Sequence, residues 1–423
     1  MDGLLTPACV LVAAAYVLLL GLVATTWLYR RFLLRPSPID PSYEPKVEVL
    51  VPVQGLDPEF VDHAQSLLAL DYPRYGVVFG VADTDDPAYD VLRRLCALHP
   101  RRCRVELAGV PTTCSDKIHN LLACHRAAAA DAEVLVIVDA DVEVHPLLLR
   151  RLIAPLRDPT VGAVTGYRWL VPTSPSLART IATMSNAASA VSFWLSNNVW
   201  GGTFAIRRQT FETLDVPRVW RAAASDDLTL RTVLRRHGLR VVPISDGLGV
   251  SHQAHTWSTH WEYLVRQLIV TRVYTPALWW QVVALYGVPM AAVAYGVLGS
   301  LAVAAGWSAT AAPFWALPLL GLYMVQGWLV VGGAQGAIRR RGDVIPEIGW
   351  RHMPLYLVAM AVGLAQVLAS ATRSWILWHG VLYWLRAPDR IEVIRPGSAS
   401  HEPPHTARTR EVIAPIVAAP HPI

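Results

Sequence analysis

The chain carries the sequence VLVIVDAD at residues 134–141, in which five apolar residues run directly into two aspartates separated by one alanine. A short, continuous apolar run of this kind is typical of a buried β-strand. Asp139 and Asp141, at its end, can share a hard divalent cation, Mn²⁺ or Mg²⁺, that bridges to a diphosphate. The pattern alone also fits two aspartates that cap the helix following the strand, so both interpretations stay open on this motif.

Strands and helices alternate along the chain before this stretch. We expect strands at Val47–Val53, Val77–Val81, Val105–Leu107 and Val134–Val138, and helices at Pro58–Leu70, Asp86–Leu98 and Ser115–Ala130. The alternation predicts an α/β fold with a doubly wound, parallel sheet. Such sheets bind ligands at the carboxyl ends of their strands, and Asp83 and Asp139 lie at two such ends.

The composition indicates a membrane protein. Hydrophobic residues make up 53% of the 423-residue chain, the mean hydropathy is +0.34, and the apolar residues are unevenly distributed, which indicates membrane spans beside a globular part. The formal net charge is +5. Because the basic residues often lie next to hydrophobic segments, we expect contact with the lipid bilayer and no nucleic acid. The five cysteines form no CxxC pair, which predicts reduced thiols in a cytosolic domain and no zinc site.

An apolar run from Leu11 to Tyr29 is long enough to cross the bilayer and shows no cleavage site, which predicts an N-terminal transmembrane anchor. Arg30, Arg31 and Arg35 follow it, so the positive-inside rule places the next domain in the cytosol. We therefore expect a multi-pass protein of the cell's inner (plasma) membrane. Its predicted parts are an anchor (1–35), a cytosolic catalytic domain (36–275), a C-terminal membrane block (276–390) and a disordered tail (391–423).

The C-terminal block contains two apolar runs that are each long enough for a span, Leu278–Trp307 and Ala312–Gly332. The basic residues Arg339–Arg341 follow and are expected in the cytosol. A shorter run, Pro354–Ser370, fits a third span, a re-entrant segment or an interfacial segment, and its sequence does not separate these. From Gly397 onward, Pro, Ala and His dominate, as is typical of disorder.

Further polar residues in the middle of the chain are candidates for binding a substrate. We predict that Asp83, at the start of DTDDP, faces a nucleotide while Asp85 or Asp86 caps the next helix. Lys117, near a helix start, either contacts a phosphate or a sugar, or is only solvated. The pair Gly201–Gly202 allows the backbone to approach a substrate closely.

Two groups nearer the C-terminal block are candidates for catalysis. Asp226 and Asp227 either cap a helix or supply a general base, a carboxylate that takes the proton of an acceptor hydroxyl. The segment 257–272 interleaves aromatic residues with Arg266 and Arg272. This pattern predicts an interfacial helix and also offers an arginine to a leaving diphosphate. No P-loop, GxGxxG or Ser-His-Asp pattern supports an ATPase, a dehydrogenase or a serine hydrolase.

In their order, these motifs resemble those of the ceramide glucosyltransferase family, inverting GT-A glycosyltransferases of the family-2 and family-21 type. Bacterial glycosyltransferases that act on hopanoid lipids are similarly close. The resemblance runs from about Val47 to Pro276 and extends into the C-terminal spans. It rests on VEVLVPVQGLDP (47–58), LDYP (70–73), DTDDPA (83–88), DKIHNL (116–121), DAD (139–141), VTG (164–166) and SDD (225–227).

The resemblance implies a Rossmann-like GT-A domain with a mostly parallel sheet, joined to transmembrane helices. Asp139 and Asp141 are the predicted metal ligands, and Asp227 is the predicted base. Asp226 and Arg266 are also predicted to be catalytic, with Arg266 assisting the diphosphate. The predicted nucleotide-sugar-binding residues are Asp83, Lys117, Asp139, Pro52, Gly201 and Arg272.

The sequence departs from the family pattern at two places. The family motif (Gln/Arg)-x-x-Arg-Trp has its nearest counterpart in Tyr263-Leu264-Val265-Arg266-Gln267, which lacks both the first residue and the tryptophan. Arg266 is the predicted counterpart of the family arginine, with Arg272 as the alternative. In the first motif, Val51 and Gln54 stand where the family has basic residues. Both departures concern the choice of sugar and acceptor.

We therefore predict a membrane-bound inverting glycosyltransferase that uses Mn²⁺ or Mg²⁺. It moves a sugar, with glucose favoured, from a UDP-sugar to the hydroxyl of a ceramide-type membrane lipid. One alternative is N-acetylglucosaminyl transfer to a hopanoid lipid. Another is a processive polysaccharide synthase, which the short C-terminal block disfavours. The third is an inactive nucleotide-sugar-binding protein, which the three aspartate motifs disfavour.

Overall fold

A computed structural model of the protein describes residues 7–57, 59–174, 176–307, 312–340, 342 and 344–395. Pro58, Arg341 and the part of the predicted tail from residue 396 onward lie outside the described residues. The helices are α1 (Pro7–Leu33), α2 (Phe60–Leu68), α3 (Pro87–Leu98), α4 (Asp116–Ala127), α5 (Leu148–Ile153), α6 (Leu177–Leu195), α7 (Arg208–Thr213), α8 (Val216–Trp220), α9 (Asp226–Arg236), α10 (Trp257–Tyr274), α11 (Pro276–Ala304), α12 (Pro318–Arg340) and α13 (Pro354–Ala371). The strands are β1 (Val47–Pro52), β2 (Tyr75–Val81), β3 (Cys103–Leu107), β4 (Val134–Val138), β5 (Val161–Pro172), β6 (Thr203–Arg207), β7 (Arg240–Gln253), β8 (Trp375–Trp378), β9 (Val381–Ala387) and β10 (Arg390–Ile394).

Within the described ranges, seven strands form one sheet in the order β3-β2-β1-β4-β6-β5-β7. Strands β1 to β4 are parallel to one another, as predicted. Strand β6 is antiparallel to both β4 and β5, so the sheet is mostly parallel and not purely so. An apolar strand has the same residue pattern in either direction, which is why the alternation of elements did not reveal this reversal.

Helices cover both faces of the sheet, which explains why β4 is apolar along its whole length and why β1 is apolar except for Glu48. Every residue of β1 and of β4 is buried. Val49 packs in one core with Phe60 and Leu92, whereas its neighbour Leu50 packs in a second core with Leu121. Successive side chains of a strand point to opposite faces, so this division is the doubly wound arrangement that the sequence predicted.

The register of β1 and β4 places candidate residues at one edge of the sheet. Leu50 lies opposite Ile137, so Pro52 and Asp139 are level at the carboxyl ends of the two strands. The loop after β4 is held in place on two sides. The Asp139 amide donates to the Gly202 carbonyl at 3.0 Å, and the Ser251 hydroxyl donates to the Asp141 carbonyl at 2.6 Å.

Among the described residues, four helical segments are long and apolar enough to cross a membrane: Pro7–Leu33, Pro276–Ala304, Pro313–Arg340 and Trp350–Ala371. The first contains the predicted run Leu11–Tyr29, and the second and third overlap most of the predicted runs Leu278–Trp307 and Ala312–Gly332. The fourth contains Pro354–Ser370, the run that the sequence left undecided.

Strands β8, β9 and β10 form a separate antiparallel sheet, which the sequence analysis did not predict. Residues 391–394, which we expected to belong to the disordered tail, lie in β10. The turn between β8 and β9 has positive φ at both His379 (46°) and Gly380 (75°), as a tight two-residue hairpin requires. Ile376 and Tyr383 of this sheet share a core with Val265 of α10, which docks the small sheet onto this helix.

Candidate active site

A cavity of about 800 Å³ lies at the carboxyl edge of the large sheet. Eight of the residues singled out from the sequence line it: Pro52, Lys117, Asp139, Asp141, Gly201, Asp226, Asp227 and Arg266. They come from β1, from the first turns of α4 and α9, from the loops next to β4 and β6, and from α10. The fold therefore brings together residues that are far apart in the sequence.

Lys117 lies at the centre of the polar end of the cavity. Helix α4 is capped by the Ser115 side chain, which places Lys117 in the first turn, facing the end of β4. Its ammonium lies 2.9 Å from Asp139 Oδ1 and 3.4 Å from Asp226 Oδ1. Burial alone would lower the pKa of Lys117, but the nearby carboxylates of Asp139 and Asp226 outweigh it and raise the pKa. Lys117 is therefore a charged group at neutral pH.

Gly201 connects Lys117 to Asp227 through its backbone. Its carbonyl accepts from the Lys117 ammonium at 3.1 Å, and its amide donates to Asp227 Oδ2 at 3.1 Å. A Cβ atom at this position would come within 3.0 Å of both Lys117 Nζ and Asp226 Oδ2. Gly201 therefore allows the backbone to lie against the charged cluster, and the approach of a substrate to Gly201–Gly202 stays a prediction.

Asp226 and Asp227 are both in the first turn of α9, but their surroundings differ. Ser225 caps the helix, so neither aspartate is needed as the cap. Both oxygens of Asp227 accept hydrogen bonds: Oδ1 from the Ser225 hydroxyl (2.5 Å) and the Leu228 amide (2.7 Å), and Oδ2 from Gly201. These bonds fix the orientation of the Asp227 carboxylate.

Asp226 is buried beside Lys117, with 4% of its surface exposed. Its Oδ2 atom has no hydrogen-bond partner among the described residues. Burial raises the pKa of Asp226 to about 7, against the opposing effect of Lys117. Asp226 is therefore poised to hold or release a proton near neutral pH, whereas Asp227 is held by donors.

Arg168, on β5, pairs with the second aspartate of the DAD motif and was not singled out from the sequence. Its Nη1 atom is ion-paired with Asp141, and its Nη2 atom donates to the Tyr263 hydroxyl at 3.1 Å. Burial alone would raise the pKa of Asp141, but the charge of Arg168 outweighs it and lowers the pKa. In the sequence, the only signal was an arginine inside the apolar strand VTGYRWLV.

Arg266 lines the same cavity from α10 and lies between two aromatic rings. Its guanidinium carbon is 5.7 Å from the ring centre of Tyr263 and 4.9 Å from that of Trp378. Trp378 is the last residue of β8, far from Arg266 in the sequence. The tryptophan ring beside Arg266 thus comes from a distant element, which no sequence pattern indicated.

Two predicted binding residues lie outside the cavity lining. Asp83 is exposed, and its carboxylate accepts from the Asp85 amide at 2.9 Å, while Asp86 caps α3 as expected. Arg272 donates instead to the Arg373 carbonyl (2.7 Å) and the Ser374 hydroxyl (3.0 Å). Arg272 faces the segment before β8 because it lies six residues beyond Arg266, which is not a whole number of helical turns. Between the two candidate arginines, the structure therefore favours Arg266.

The donor set at the strand end fits a hard divalent cation in part. Asp139 and Asp141 offer carboxylate oxygens, and Mg²⁺ and Mn²⁺ often bind through one or two carboxylates and complete their shell with substrate phosphates and water. Among the described residues, no group of three or more His, Cys, Asp or Glu side chains forms a metal cage. The residues therefore fit a cation that is held together with a phosphate-bearing ligand, and do not fit one held by protein alone.

The far end of the cavity is apolar and lies between two of the long apolar helices. Leu278, Val282 and Tyr286 of α11 and Gly363 and Val367 of α13 form this part of the wall. Between the two ends lies His260, with 2% of its surface exposed and its Nε2 atom 3.4 Å from the Ser185 hydroxyl. Burial lowers the pKa of His260, so its ring is neutral at pH 7. One cavity thus joins a carboxylate cluster to an apolar passage.

Two solved structures are similar to this chain. A mannosyltransferase from Pyrobaculum calidifontis, in complex with GDP-mannose and Mn²⁺, is 20% identical, with 85% of this chain and 97% of that chain covered and a TM-score of 0.48. Glucosyl-3-phosphoglycerate synthase from Mycobacterium tuberculosis, in complex with Mn²⁺, UDP and glucosyl-3-phosphoglycerate, is 14% identical. This second match covers 53% of this chain and 79% of that chain, with a TM-score of 0.34.

A sequence model of glycosyl transferase family 21 matches residues 8–386. The match covers the large sheet, the four apolar helical segments and most of the small C-terminal sheet. It confirms the resemblance to the ceramide glucosyltransferase family that the ordered motifs indicated, and the α/β domain with its mostly parallel sheet is the predicted GT-A fold class. The chain therefore belongs to glycosyl transferase family 21.

Proposed function

We propose that this protein transfers a sugar, with glucose favoured, from a UDP-sugar to the hydroxyl of a ceramide-type membrane lipid, with inversion at the anomeric carbon. One observation carries the proposal: a single cavity runs from Lys117, Asp139 and Asp227 to the apolar wall formed by α11 and α13. A polar donor and the hydroxyl of a lipid can meet in such a cavity while the lipid chains stay between membrane helices.

Basic residues at the polar end suit a diphosphate. Lys117 and Arg168 are paired with Asp139 and Asp141, and Arg266 adds a third cation on the same wall. When bound, Mn²⁺ or Mg²⁺ would be held by Asp139 and Asp141 and would neutralise charge on the leaving diphosphate. The metal ion and the two basic side chains would share the same two carboxylates. The charges of Lys117 and Arg168 would then be only partly neutralised, so both side chains remain available to phosphate oxygens.

Asp227 is the proposed general base. The acceptor oxygen bonds to the anomeric carbon, the bond from that carbon to the UDP oxygen breaks with its electron pair leaving on UDP, and the hydroxyl proton passes to Asp227. The donors from Ser225, Leu228 and Gly201 hold the Asp227 carboxylate in one orientation. Asp226 lies behind it, where its contact with Lys117 positions the ammonium.

His260 and Ser185 offer polar contacts where the two parts of the cavity meet. The His260 Nδ1 atom has no hydrogen-bond partner among the described residues, and a buried polar atom without a partner is costly. The amide and hydroxyl groups of a ceramide head would supply that partner. The headgroup would then sit between the apolar passage and the carboxylates.

Contacts between helix ends support the proposed membrane topology. The Arg340 guanidinium, at the end of α12, donates to the Leu33 carbonyl at the end of α1 at 2.6 Å. The basic ends of both helices, Arg30–Arg31 and Arg339–Arg340, thus share one face, which the positive-inside rule assigns to the cytosol. We propose the cytosolic face of the plasma membrane for the catalytic domain.

The contacts of α13 favour a re-entrant segment over a third C-terminal span. Near the end of α11, Gly299 packs against Pro313, just before α12, so α11 and α12 are antiparallel and α12 ends on the face where α11 begins. α13 ends there too, because the Trp279 indole in the first turn of α11 donates to the Ser370 hydroxyl at 2.9 Å. A chain that leaves and regains one face does not cross the bilayer in between.

The start of α13 lies deeper than its end. Tyr356 packs against Gly327 in the middle of α12, and the Trp350 ring lies 6.5 Å from that of Trp328. The irregular segment before it packs along α12, where the Gln335 side chain donates to the Pro346 carbonyl at 3.1 Å. Irregular backbone is tolerated at membrane depth where protein supplies its partners. A reporter fused after Arg395 should lie in the cytosol, and an extracytosolic reporter would refute the re-entrant arrangement.

The transfer itself is tested with purified protein in detergent, with Mn²⁺ or Mg²⁺. UDP release is measured with UDP-glucose and with UDP-N-acetylglucosamine, each with ceramide, with a hopanoid lipid and without lipid, and the products are identified by mass spectrometry. We expect ceramide-dependent UDP release and a glucosylated ceramide. A glycosylated hopanoid would show that the acceptor is a hopanoid lipid and not ceramide. If neither donor released UDP under any of these conditions, the proposed activity would be refuted.

A further inference from the structure

Arg266 is a half-buried cation that has no carboxylate partner among the described residues. Lys117 and Arg168, the other basic residues at the polar end of the cavity, each form an ion pair with an aspartate. No ion pair involves Arg266 within the described residues. Its contacts are instead with the faces of Tyr263 and Trp378, and burial lowers the pKa of its guanidinium. A cation held in this way keeps its charge available to an anionic ligand.

The two rings reach Arg266 from different parts of the fold. Tyr263 lies one turn earlier on α10 and moves with the helix. Trp378 comes from β8 and closes the hairpin turn, where it pairs with Val381. The positive φ angles of His379 and Gly380 make this turn tight, and both Trp378 and His379 line the cavity. The hairpin thus forms one wall of the site.

The small sheet that carries Trp378 is firmly attached to the catalytic domain. The Asp116 amide, next to Lys117, donates to the Tyr383 hydroxyl at 3.3 Å, and Asp116 is also ion-paired with Arg395. On the other side, Arg373 donates to Glu262 of α10 at 2.7 Å. These contacts hold the hairpin against both α4 and α10, so the position of Trp378 relative to Arg266 is set by the fold.

We propose that Trp378 is a positioning residue for sugar transfer: its ring holds the Arg266 guanidinium where it meets the leaving diphosphate. This inference rests on the proposed function. The hairpin of β8 and β9, which follows the C-terminal membrane block, is then part of the active site. A cation held against a tryptophan face in a desolvated place is stabilised enough that losing the ring changes a rate about tenfold.

The test compares Trp378→Phe with Trp378→Leu, because both keep apolar bulk and only the first keeps a ring. Donor-dependent UDP release is measured for each, and kcat and KM for the UDP-sugar are separated. We expect Trp378→Leu to lower kcat/KM about tenfold and Trp378→Phe to recover most of it. The matched control is Trp384→Leu, since that ring lies 4.1 Å from the guanidinium carbon of Arg386 on the same sheet, outside the cavity lining. The control should keep wild-type rates.

A double-mutant cycle separates positioning of Arg266 from a general effect on folding. If Trp378 acts through Arg266, adding Trp378→Leu to Arg266→Ala should cause no further loss of kcat/KM. The inference would be overturned if the losses of kcat/KM in the two single variants multiplied in the double variant. Equal rates for Trp378→Phe and Trp378→Leu would overturn it as well. If Trp378→Leu fails to elute as a folded protein, Trp378→Met, which also keeps apolar bulk without a ring, takes its place both in the comparison with Trp378→Phe and in the cycle. An inactive wild type would refute the proposed function, whereas an active wild type with an unaffected Trp378→Leu variant would refute this inference alone.

Discussion

Replacing Lys117 by methionine tests how the carboxylate cluster is held together. The substitution keeps the apolar stem but removes the ammonium, which lies 2.9 Å from Asp139 and 3.4 Å from Asp226. The side chains of Lys117 and Asp226 are only 13% and 6% exposed, so the carboxylates lose their counter-charge where water hardly reaches. Removing one partner of a buried pair typically costs about 3–5 kcal/mol. Because Asp139 is 23% exposed, we expect the lower end, ~3 kcal/mol of unfolding free energy.

The measurement is denaturant unfolding in detergent, followed by tryptophan fluorescence at neutral to mildly alkaline pH. The chain has one other lysine, Lys46, which provides the matched control. Lys46 pairs with Asp131 at 2.5 Å, but the two side chains are 30% and 70% exposed, so Lys46→Met should cost at most about 1 kcal/mol. Equal losses in the two variants would show that the Lys117 cluster is not held by charge.

The pH dependence of the Lys117→Met variant gives a second check. Carboxylates without a counter-charge have a pKa in the folded protein above that in the unfolded chain, so they destabilise the fold when ionised. The stability difference from wild type should therefore shrink as the pH falls and the carboxylates take up protons. A difference that stays constant with pH would mean that the lost stability comes from packing of the lysine stem.

The remaining predictions concern the same cavity. Asp227→Asn should lower the rate of transfer by at least about 10²-fold while calorimetry shows UDP-sugar affinity near that of wild type; lost binding would make Asp227 a binding residue. Burial raises the pKa of Asp226 to about 7, so the contribution of Asp226 to stability is lost as the pH rises through that value. Asp226→Asn should therefore flatten this part of the plot of stability against pH. An unchanged slope would contradict the raised pKa of Asp226. Arg168→Gln should raise KM for the donor, because it removes the cation that is paired with Asp141; an unchanged KM would exclude Arg168 from donor binding. EDTA should abolish UDP release and Mn²⁺ or Mg²⁺ should restore it, and undiminished release in EDTA would argue against a divalent cation.

The local elements were predictable because their signals are local. Val134–Val138 is a strand with the predicted bounds, and α3 begins after Asp86, one of the two caps proposed from the Asp-Asp-Pro sequence. The orientation of Asp226 relative to Asp227 was not predictable. Both residues follow Ser225 at a helix start, and only the positions of Lys117 and Gly201 distinguish them.

For the long apolar helices too, the local features were predictable and the contacts were not. The apolar lengths of α1, α11 and α12 marked them as candidate spans, because the thickness of the bilayer sets the length of a spanning helix. The run 354–370 has a similar composition, yet the side on which it ends depends on packing between Trp279 and Ser370. Length and hydropathy carry no information about which neighbour a helix end touches.

By itself, the sequence determined the family, the α/β class of the catalytic domain and the carboxylates at the end of β4, since these depend on residue order, hydrophobic period and motif spacing. Only the tertiary structure decided which charges the carboxylates meet. Arg168 reaches Asp141 across the sheet, and Trp378 reaches Arg266 from a hairpin beyond the membrane block. Such pairings arise when strands order themselves in a sheet and elements close on a common core, and residues distant in sequence carry no local mark of the partner that packing gives them.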